Sequence, residues 1–156
     1  MVTTIAIVLL LLTVTLSMGG GLYEILVIYP NWKHNVHPRT LRDKLESSGQ
    51  NNAAKRFWPL VSPLQALLAM VNIALACWHH GVGQGYWLAA AIIIFVTRVI
   101  TFSYFIPVMV RKIMQPEKFD AGTLQAIVKQ WTDLSPLRLA PEFAAWGLLI
   151  ITLMKL

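Results

Sequence analysis

The chain has 156 residues, of which 56% are hydrophobic and only 13% are charged. Soluble domains carry about 25% charged residues, so this composition excludes a disordered chain and favours a protein that folds in a lipid bilayer over a water-soluble globule. The single cysteine, Cys77, excludes an internal disulfide and any metal site built from several cysteines. The net charge of +6 comes largely from residues between the hydrophobic segments, which indicates membrane topology and not nucleic-acid binding.

Four hydrophobic segments are long enough to cross a bilayer, which takes about 20 mostly apolar residues. The first is uncharged up to Tyr23, the second carries no charge, and the third contains only Arg98. The fourth reaches spanning length only if it includes Arg138 and Glu142. The sequence therefore predicts a single all-α domain over residues 1–156, a four-helix transmembrane bundle with short interfacial helices in its two long loops. Its predicted spans are about 3–28, 58–78, 87–110 and 136–155.

Basic residues predict the orientation of the bundle. Except for Arg98 and Lys155, every Lys and Arg falls in one of the two long loops or at its edge. The positive-inside rule then places both loops in the cytoplasm and both termini outside. No basic residue precedes the first segment, so we expect a retained helix and not a cleaved signal peptide. Four tryptophans fall at predicted span ends, as interfacial anchors do: Trp32, Trp58, Trp78 and Trp87.

The second long loop is expected to contain an amphipathic helix. Asp120 is placed to cap it, and one stripe of the helix is apolar: Leu124, Ile127, Val128 and Trp131. We expect this helix to lie along the cytoplasmic interface before the chain enters the fourth span.

Arg98 is the strongest functional signal, because an arginine at membrane depth costs about 2.5–3.5 kcal/mol on insertion scales and needs an interior partner. Glu24 and Glu142 are the candidate carboxylates. Side chains tilt toward the N-terminus of their own helix, so Glu24 leans into the membrane and Glu142 leans out of it. Glu24 is therefore the preferred partner. Two interpretations stay open: Arg98 locks helices together, or it faces a cavity and binds an anionic substrate or intermediate.

The same choice decides what Glu24 can do. A carboxylate paired with arginine stays ionised and is a poor proton acceptor, whereas an unpaired one in apolar surroundings suits acid–base work. His34 is a second candidate base, since imidazole titrates near neutral pH and His34 follows the first span. His79 and His80 lie at the opposite face, so no shared histidine metal site is predicted. The triplet Gly19–Gly21 lets a neighbouring helix approach, and it lacks the preceding strand of a phosphate-binding loop.

Several short motifs occur in a recognisable order. They are Gly21-Leu22-Tyr23-Glu24, Pro30-Asn31-Trp32, Phe57-Trp58-Pro59, Phe102-Ser103-Tyr104-Phe105-Ile106-Pro107-Val108, and finally Trp131 and Arg138. This order resembles the anthrone-oxygenase-like family of small four-helix integral membrane proteins. The resemblance implies oxidation of an anthrone to an anthraquinone by dioxygen, with no cofactor.

Such a reaction needs a base for the ring-carbon proton and a cation for the resulting oxyanion. The catalytic candidates are Glu24 or His34 as base, with Arg98 holding the oxyanion. The substrate-binding candidates are Tyr23, Trp32, Asn72, Tyr104, Trp131 and Arg138. Trp131 and Arg138 would wall the cytoplasmic mouth, although interfacial anchoring also explains both.

The sequence thus leaves open whether the protein is an enzyme. The leading hypothesis is a cofactor-independent oxygenase that acts on a flat aromatic, polyketide-like substrate in an intramembrane cavity. The alternative is a non-enzymatic accessory or assembly subunit of a larger membrane complex. A carrier is disfavoured because there is one deep basic residue and no inverted repeat. The expected partners are the lipid bilayer, a hydrophobic aromatic molecule, and a membrane protein or a second copy of the chain, with no nucleic acid.

Overall fold

The computed structural model describes residues 1–34 and 37–156, without the side chains of Lys33, His34 and Pro38. All regular structure in these residues is helical, which confirms the all-α prediction. Four helices are long and apolar enough to cross a membrane. They are the first span, Val2–Trp32, the second, Gln50–Trp78, the third, Gln84–Ile113, and the fourth, Ala121–Lys155.

Several spans change helix type along their length. The α-helical segments are Val2–Tyr23, Tyr29–His34, Leu41–Ser47, Gln50–Trp78, Gln84–Ile100, Ile106–Val108, Ala121–Leu134 and Leu139–Lys155. The π-helical segments are Glu24–Ile28, Thr101–Phe105 and Met109–Ile113. Short 3-10 turns cover Pro38–Thr40, Pro116–Lys118 and Ser135–Arg138.

The spans are longer than predicted. They contain 31, 29, 30 and 35 residues, and thirty helical residues extend about 45 Å, whereas a hydrocarbon core is about 30 Å thick. One end of the bundle carries both termini and the turn at Gly83, which packs against Lys155; we call it the terminal end. The other, the loop end, carries the two long connections. Helices of 29 to 35 residues are thus longer than a hydrocarbon core is thick.

The four spans form a ring in which each packs against two others. The second and the fourth spans each contact both the first and the third. The first and third spans consequently stand at opposite corners of the bundle. Small residues line the contacts and let the helices approach closely: Ala69, Ala76, Ala90, Ala91 and Ala145 are fully buried.

Two hydrophobic cores follow one another along the bundle axis. The core of the terminal half joins all four spans and includes Ile7, Leu10, Ile94 and Leu149. A second core at the loop end is rich in aromatic side chains and includes the short helix Leu41–Ser47 through Leu41 and Leu45. The interior polar residues described below lie around the junction of these cores.

The predicted amphipathic helix is present as Ala121–Leu134. Its N-cap is also as predicted, since Asp120 Oδ1 accepts a hydrogen bond from the backbone N–H of Thr123 at 2.9 Å. Leu124, Val128 and Trp131 are buried, so this helix covers the loop end of the bundle. It then continues through the 3-10 turn at Ser135–Arg138 into the helix Leu139–Lys155, so it forms the loop-end part of the fourth span. Its placement along a membrane interface stays a prediction.

Candidate functional site in the loop-side half of the bundle

Arg98 forms a buried ion pair with Glu142. Arg98 Nη2 donates a hydrogen bond to Glu142 Oε1, and the side chains are 3% and 2% exposed. The predicted preference for Glu24 as the partner of Arg98 is therefore wrong. In this pair each charge neutralises the other away from lipid, as an intramembrane arginine requires.

Helix adjacency explains why Glu142 is the partner. The third span packs directly against the fourth, whereas the first span, which carries Glu24, stands at the opposite corner. Arg98 and Glu142 also lie at a common depth, each about four turns from the terminal end of its helix. The tilt of a side chain along its own helix is a smaller effect than the choice of neighbouring helix.

Glu24 is held by two neutral donors. The Tyr29 hydroxyl donates to Glu24 Oε2 at 2.6 Å, and Trp58 Nε1 donates to Oε1 at 2.7 Å. Gly20 makes room for this arrangement, because a Cβ there would lie 2.8 Å from the Phe57 ring that precedes Trp58. No ion pair of Glu24 is present among the residues that the structure describes. Glu24 is thus a half-buried carboxylate without a described cationic partner.

An aromatic cluster of Tyr29, Trp32, Phe105 and Trp131 lies on the loop side of Glu24. The Trp32 and Trp131 rings are stacked with centroids 5.8 Å apart, and Tyr29 contacts each of them at 5.3 Å. Trp131 Nε1 donates to the Phe105 carbonyl oxygen at 3.0 Å. Trp131 is therefore a buried packing element that ties the Ala121–Leu134 helix to the third span.

Arg138 lies against this cluster. Its guanidinium carbon is 4.1 Å from the centroid of the Phe105 ring, within the range of a cation–π contact. Its Nε donates a long hydrogen bond, 3.4 Å, to the carbonyl oxygen of Ser135. The Tyr29 hydroxyl, which donates to Glu24, is also within electrostatic range of Arg138.

The ionisable groups border a very small cavity. Its volume is about 10 Å³, which is room for about one water molecule. The lining residues are Ser17, Gly21, Ile25, Trp58, Arg98, Ser135, Arg138, Leu139 and Glu142. A larger pocket of about 220 Å³ opens at the loop end beside Trp32, Leu41 and Lys44. Of these two pockets, the larger one has the size of a small organic molecule.

The backbone also departs from regular helix here. The π-helical segment Glu24–Ile28 follows directly on the glycine triplet, and Thr101–Phe105 begins three residues after Arg98. Single π-helical turns inside α-helices are frequent at functional sites. The first of them brings Glu24 and Tyr29, five residues apart, into hydrogen-bonding contact.

Only some of the predicted substrate-binding residues lie in the region around Glu24 and the aromatic cluster. Trp32, Trp131 and Arg138 lie together, and Tyr104 is half-buried beside Phe105. Tyr23 is 58% exposed on the outside of the bundle. Asn72 lies in the terminal half.

Asn72 has its own set of partners there. Its side-chain N–H groups donate to the carbonyl oxygens of Ala6 and Leu68, and Asn72 Oδ1 accepts from Trp87 Nε1 at 2.8 Å.

Two of the tryptophans predicted as interfacial anchors are buried inside the protein. Trp87 is fully buried and Trp32 is 8% exposed, so neither ring has the lipid-interface position predicted for it. Trp78, at 80% exposed, is compatible with such a position. The side chain of His34 lies outside the described residues.

Sequence reasoning missed Tyr29, Phe105 and Ser17 as members of this region. Tyr29 is five residues from Glu24, and residues at that spacing do not share a face of a regular α-helix. Only the π-helical turn brings the two together, and no simple sequence pattern signals it. Glu142 is one of the two carboxylates that the sequence offers as partner of Arg98, but side-chain tilt alone favours Glu24.

The fold and this site define a class: a four-span integral membrane protein with a buried ion pair and an aromatic cluster in the loop-side half of its bundle. Comparison of the chain with protein-family models, with curated proteins and with solved structures finds no match. Membership of the anthrone-oxygenase-like family accordingly stays a hypothesis carried by the short motifs. Among the described residues, no group of three or more His, Cys, Asp or Glu side chains is arranged to hold a metal ion.

Proposed function

We propose that this integral membrane protein is an anthrone-oxygenase-like enzyme whose acid–base chemistry takes place at Glu24 and Arg138. The observation that carries the proposal is the setting of Glu24, a carboxylate bound by the neutral donors Tyr29 and Trp58. Neutral donors orient a carboxylate without supplying the full positive charge that would suppress its basicity. Convergence of the resembling motifs at Glu24, Trp58, Trp131 and Arg138 supports the same site.

Arg98 takes a structural role in this proposal. Its guanidinium is already engaged by Glu142, so it is not available to hold a substrate oxyanion. Arg138 is the better candidate, because it lies nearer the loop end and its described contacts are an aromatic ring and one carbonyl oxygen.

The reaction can be written with these groups and dioxygen alone. Glu24 removes a proton from the central ring carbon of the anthrone, and Arg138 stabilises the aryl oxyanion that results. Dioxygen adds to that carbon and takes up its electron pair as a peroxide, which Glu24 protonates. Glu24 then removes the second hydrogen from the same carbon while the O–O bond breaks, which forms the second carbonyl and releases hydroxide. One oxygen atom stays in the quinone, and the hydroxide takes the proton from Glu24 and leaves as water.

The substrate is expected to enter from the loop end. The cavity at Arg98 holds about one water molecule, which is far too small for a three-ring compound. The pocket of about 220 Å³ shares Trp32 with the aromatic cluster. Displacement of the Trp32 ring would join this pocket to Tyr29 and Glu24.

The experiment is a dioxygen-uptake assay on the purified protein in lipid nanodiscs, with a soluble anthrone as the probe. Glu24→Gln keeps the shape and the hydrogen-bond acceptor but cannot take the proton, so we expect kcat to fall by about 10²–10⁴-fold. Glu46→Gln, an exposed glutamate on the Leu41–Ser47 helix, is the matched control and should retain full activity. Wild-type protein that consumes no dioxygen, or Glu24→Gln that stays fully active, contradicts the proposal.

An accessory subunit is the second candidate function. It is favoured by the neutralised Arg98–Glu142 pair and by the small volume of the interior cavity, since a polar interior that only fixes helix packing needs no substrate space. In that case the purified chain is inactive with every anthrone tested. Native mass spectrometry would then detect a larger complex of fixed stoichiometry from native membranes. A monomer with anthrone-dependent dioxygen uptake argues against the subunit.

We also propose that the loop end faces the cytoplasm, with both termini outside. Support comes from the basic residues of the loop end, among them the exposed Lys55, Arg56, Arg111 and Lys112.

A further inference from the structure

We propose that the bundle interior binds water at the depth of Arg98 and Glu142. One water molecule is held between Arg98 Nε, Glu142 Oε2 and the Ser17 hydroxyl. The proposed oxygenase reaction is not required for this site, because Glu24 does not line the cavity.

The unpartnered interior polar atoms gather at one depth. Among the described residues, the buried side-chain atoms without a hydrogen-bond partner belong to Ser62, Gln65, Arg98 and Glu142. All four residues lie about four turns from the terminal ends of the second, third and fourth spans. Interior polar groups outside this layer do have partners, as Asn72 does.

Unpaired groups of this kind indicate polar ligands; Ser62 and Gln65 do not line the cavity, so the proposed water is the partner of Arg98 and Glu142. Gln65 is fully buried, and neither its amide nitrogen nor its amide oxygen has a protein partner. A buried polar group that gains no hydrogen bond loses the bonds it makes in water, and native proteins rarely tolerate that loss. Inside a bilayer the penalty is higher, since the surrounding hydrocarbon offers no hydrogen bond at all.

The cavity matches one water molecule in size and chemistry. Its volume is about 10 Å³, and a site for one buried water needs about 10–15 Å³. Arg98 Nε–H is a donor and Glu142 Oε2 is an acceptor, and neither has a described partner; the Ser17 hydroxyl interacts with the Glu142 carboxylate and can also accept a hydrogen bond from the water. Three polar partners is the usual number for a buried water.

The size and charge of the cavity limit its ligand. A volume of about 10 Å³ excludes molecules and ions larger than one water, and two guanidinium groups against one carboxylate disfavour a cation. The polar lining favours a dipolar ligand over an apolar gas, because apolar cavities are the ones that stay dry. A neutral hydrogen-bonding molecule of the size of water satisfies all of these conditions.

The test is a nuclear magnetic resonance measurement on the full chain in lipid nanodiscs. The Arg98 Nε–H resonance is assigned by its loss in Arg98→Lys, and through-space transfer from water to that proton is recorded. We expect a cross-peak with the sign of a long-lived bound water. Absence of any water cross-peak at Arg98 Nε–H in the wild-type protein overturns the proposal.

Substitutions at Ser17 locate the water. Ser17→Val removes the hydroxyl and fills the cavity, so the cross-peak should disappear. Ser17→Ala removes the hydroxyl but leaves the space, so the cross-peak should remain. Ser103→Val is the matched control, because Ser103 is exposed and bonds only to carbonyl oxygens of its own helix. A cross-peak unchanged by Ser17→Val overturns the proposed position. If Ser17→Val does not fold, the presence or absence of the water cross-peak at Arg98 Nε–H in the wild-type protein is the test of the proposal.

Discussion

The free energy of burying Arg98 depends on Glu142, and that of burying Glu142 depends on Arg98. Each is costly to bury alone in hydrocarbon, and the pair is tolerated because each supplies the counter-charge of the other. A buried pair is not by itself a source of stability, since the loss of hydration can match the Coulomb attraction. Removing one partner, however, leaves an uncompensated charge.

The first prediction tests this asymmetry. Arg98→Leu or Glu142→Leu alone should lower the free energy of unfolding by about 3–5 kcal/mol, because a buried charge is left unpaired. The double substitution should restore most of that loss, since it leaves two apolar side chains of similar volume. Unfolding of the detergent-solubilised protein by increasing sodium dodecyl sulfate measures the differences.

Arg111→Leu is the control for the loss of a positive charge. Arg111 is exposed at the loop end, so its replacement should leave the free energy of unfolding within about 0.5 kcal/mol of wild type. Additive effects of Arg98→Leu and Glu142→Leu would show that the two side chains do not act as a pair.

At the scale of single elements, glycines fix how closely the first and second spans approach. Gly19 and Gly20 are neighbours on the first span, yet a Cβ on Gly19 would meet nothing within 4 Å, whereas one on Gly20 would lie 2.8 Å from Phe57 Cε1. The predicted close approach to the second span is therefore made by Gly20 and not by Gly19, while Gly21 approaches Leu139 of the fourth span, where a Cβ would lie 3.0 Å from Leu139 Cδ2. It matters for the site because Phe57 precedes Trp58, a donor to Glu24.

Alanine at these two positions should have opposite effects. Gly19→Ala should be neutral or raise the free energy of unfolding by up to about 1 kcal/mol through better helix propensity. Gly20→Ala must displace the Phe57 ring and should lower stability by about 1–3 kcal/mol relative to Gly19→Ala. A shifted Trp58 indole N–H resonance in Gly20→Ala alone would report the displaced ring; equal stability of the two variants would contradict the packing argument.

The helix Ala121–Leu134 carries a pH-dependent cap. Hydrogen bonds from Thr123, through its side chain and its backbone N–H, lower the pKa of the Asp120 carboxyl below its usual value of 3.8. The lowered pKa means that the cap stabilises the helix fully above the unfolded-state pKa. That contribution is lost as the pH falls through the still lower pKa of the folded state.

Hydrogen exchange of the amides at residues 121–124 measures this effect. At pH 7, Asp120→Ala should exchange faster than wild type, and the difference should vanish as the pH is lowered below about 3.8. Asp120→Asn keeps a capping acceptor without a titrating group, so its protection should not change through that pH range. A difference between wild type and Asp120→Ala that persists unchanged at low pH would contradict an ionised cap.

At the scale of the whole molecule, charge asymmetry predicts how the bundle sits in the membrane. The loop end carries nearly all the basic residues, and the terminal end carries the short connection around Gly83. The positive-inside rule predicts that the loop end faces the cytoplasm. Sidedness depends on insertion and not on packing, so it needs a test in cells.

Cysteine labelling from outside the cell provides that test. In a chain with Cys77→Ser, Val82→Cys should react with a membrane-impermeant maleimide, whereas Arg42→Cys should react only after the membrane is permeabilised. Both positions are at least partly exposed, so burial does not explain a lack of reaction. The reverse pattern would overturn the orientation.

Local properties of the sequence determined the class of protein. Hydropathy over about 20 residues, the charge of each loop and the capping pattern at Asp120 depend on neighbouring residues, so they predicted the four spans and the amphipathic helix. They also predicted that Arg98 must be buried in the bundle interior. Each of these is a property that a short segment has before the chain folds.

Only the tertiary structure decided which groups meet. Glu142 and not Glu24 pairs with Arg98 because the ring order places the fourth span beside the third. Tyr29 reaches Glu24 because a π-helical turn changes the register of the first span, and Asn72 is turned to Trp87 in the other half. These choices depend on helix adjacency and register, which are non-local, so no pattern within one segment encodes them.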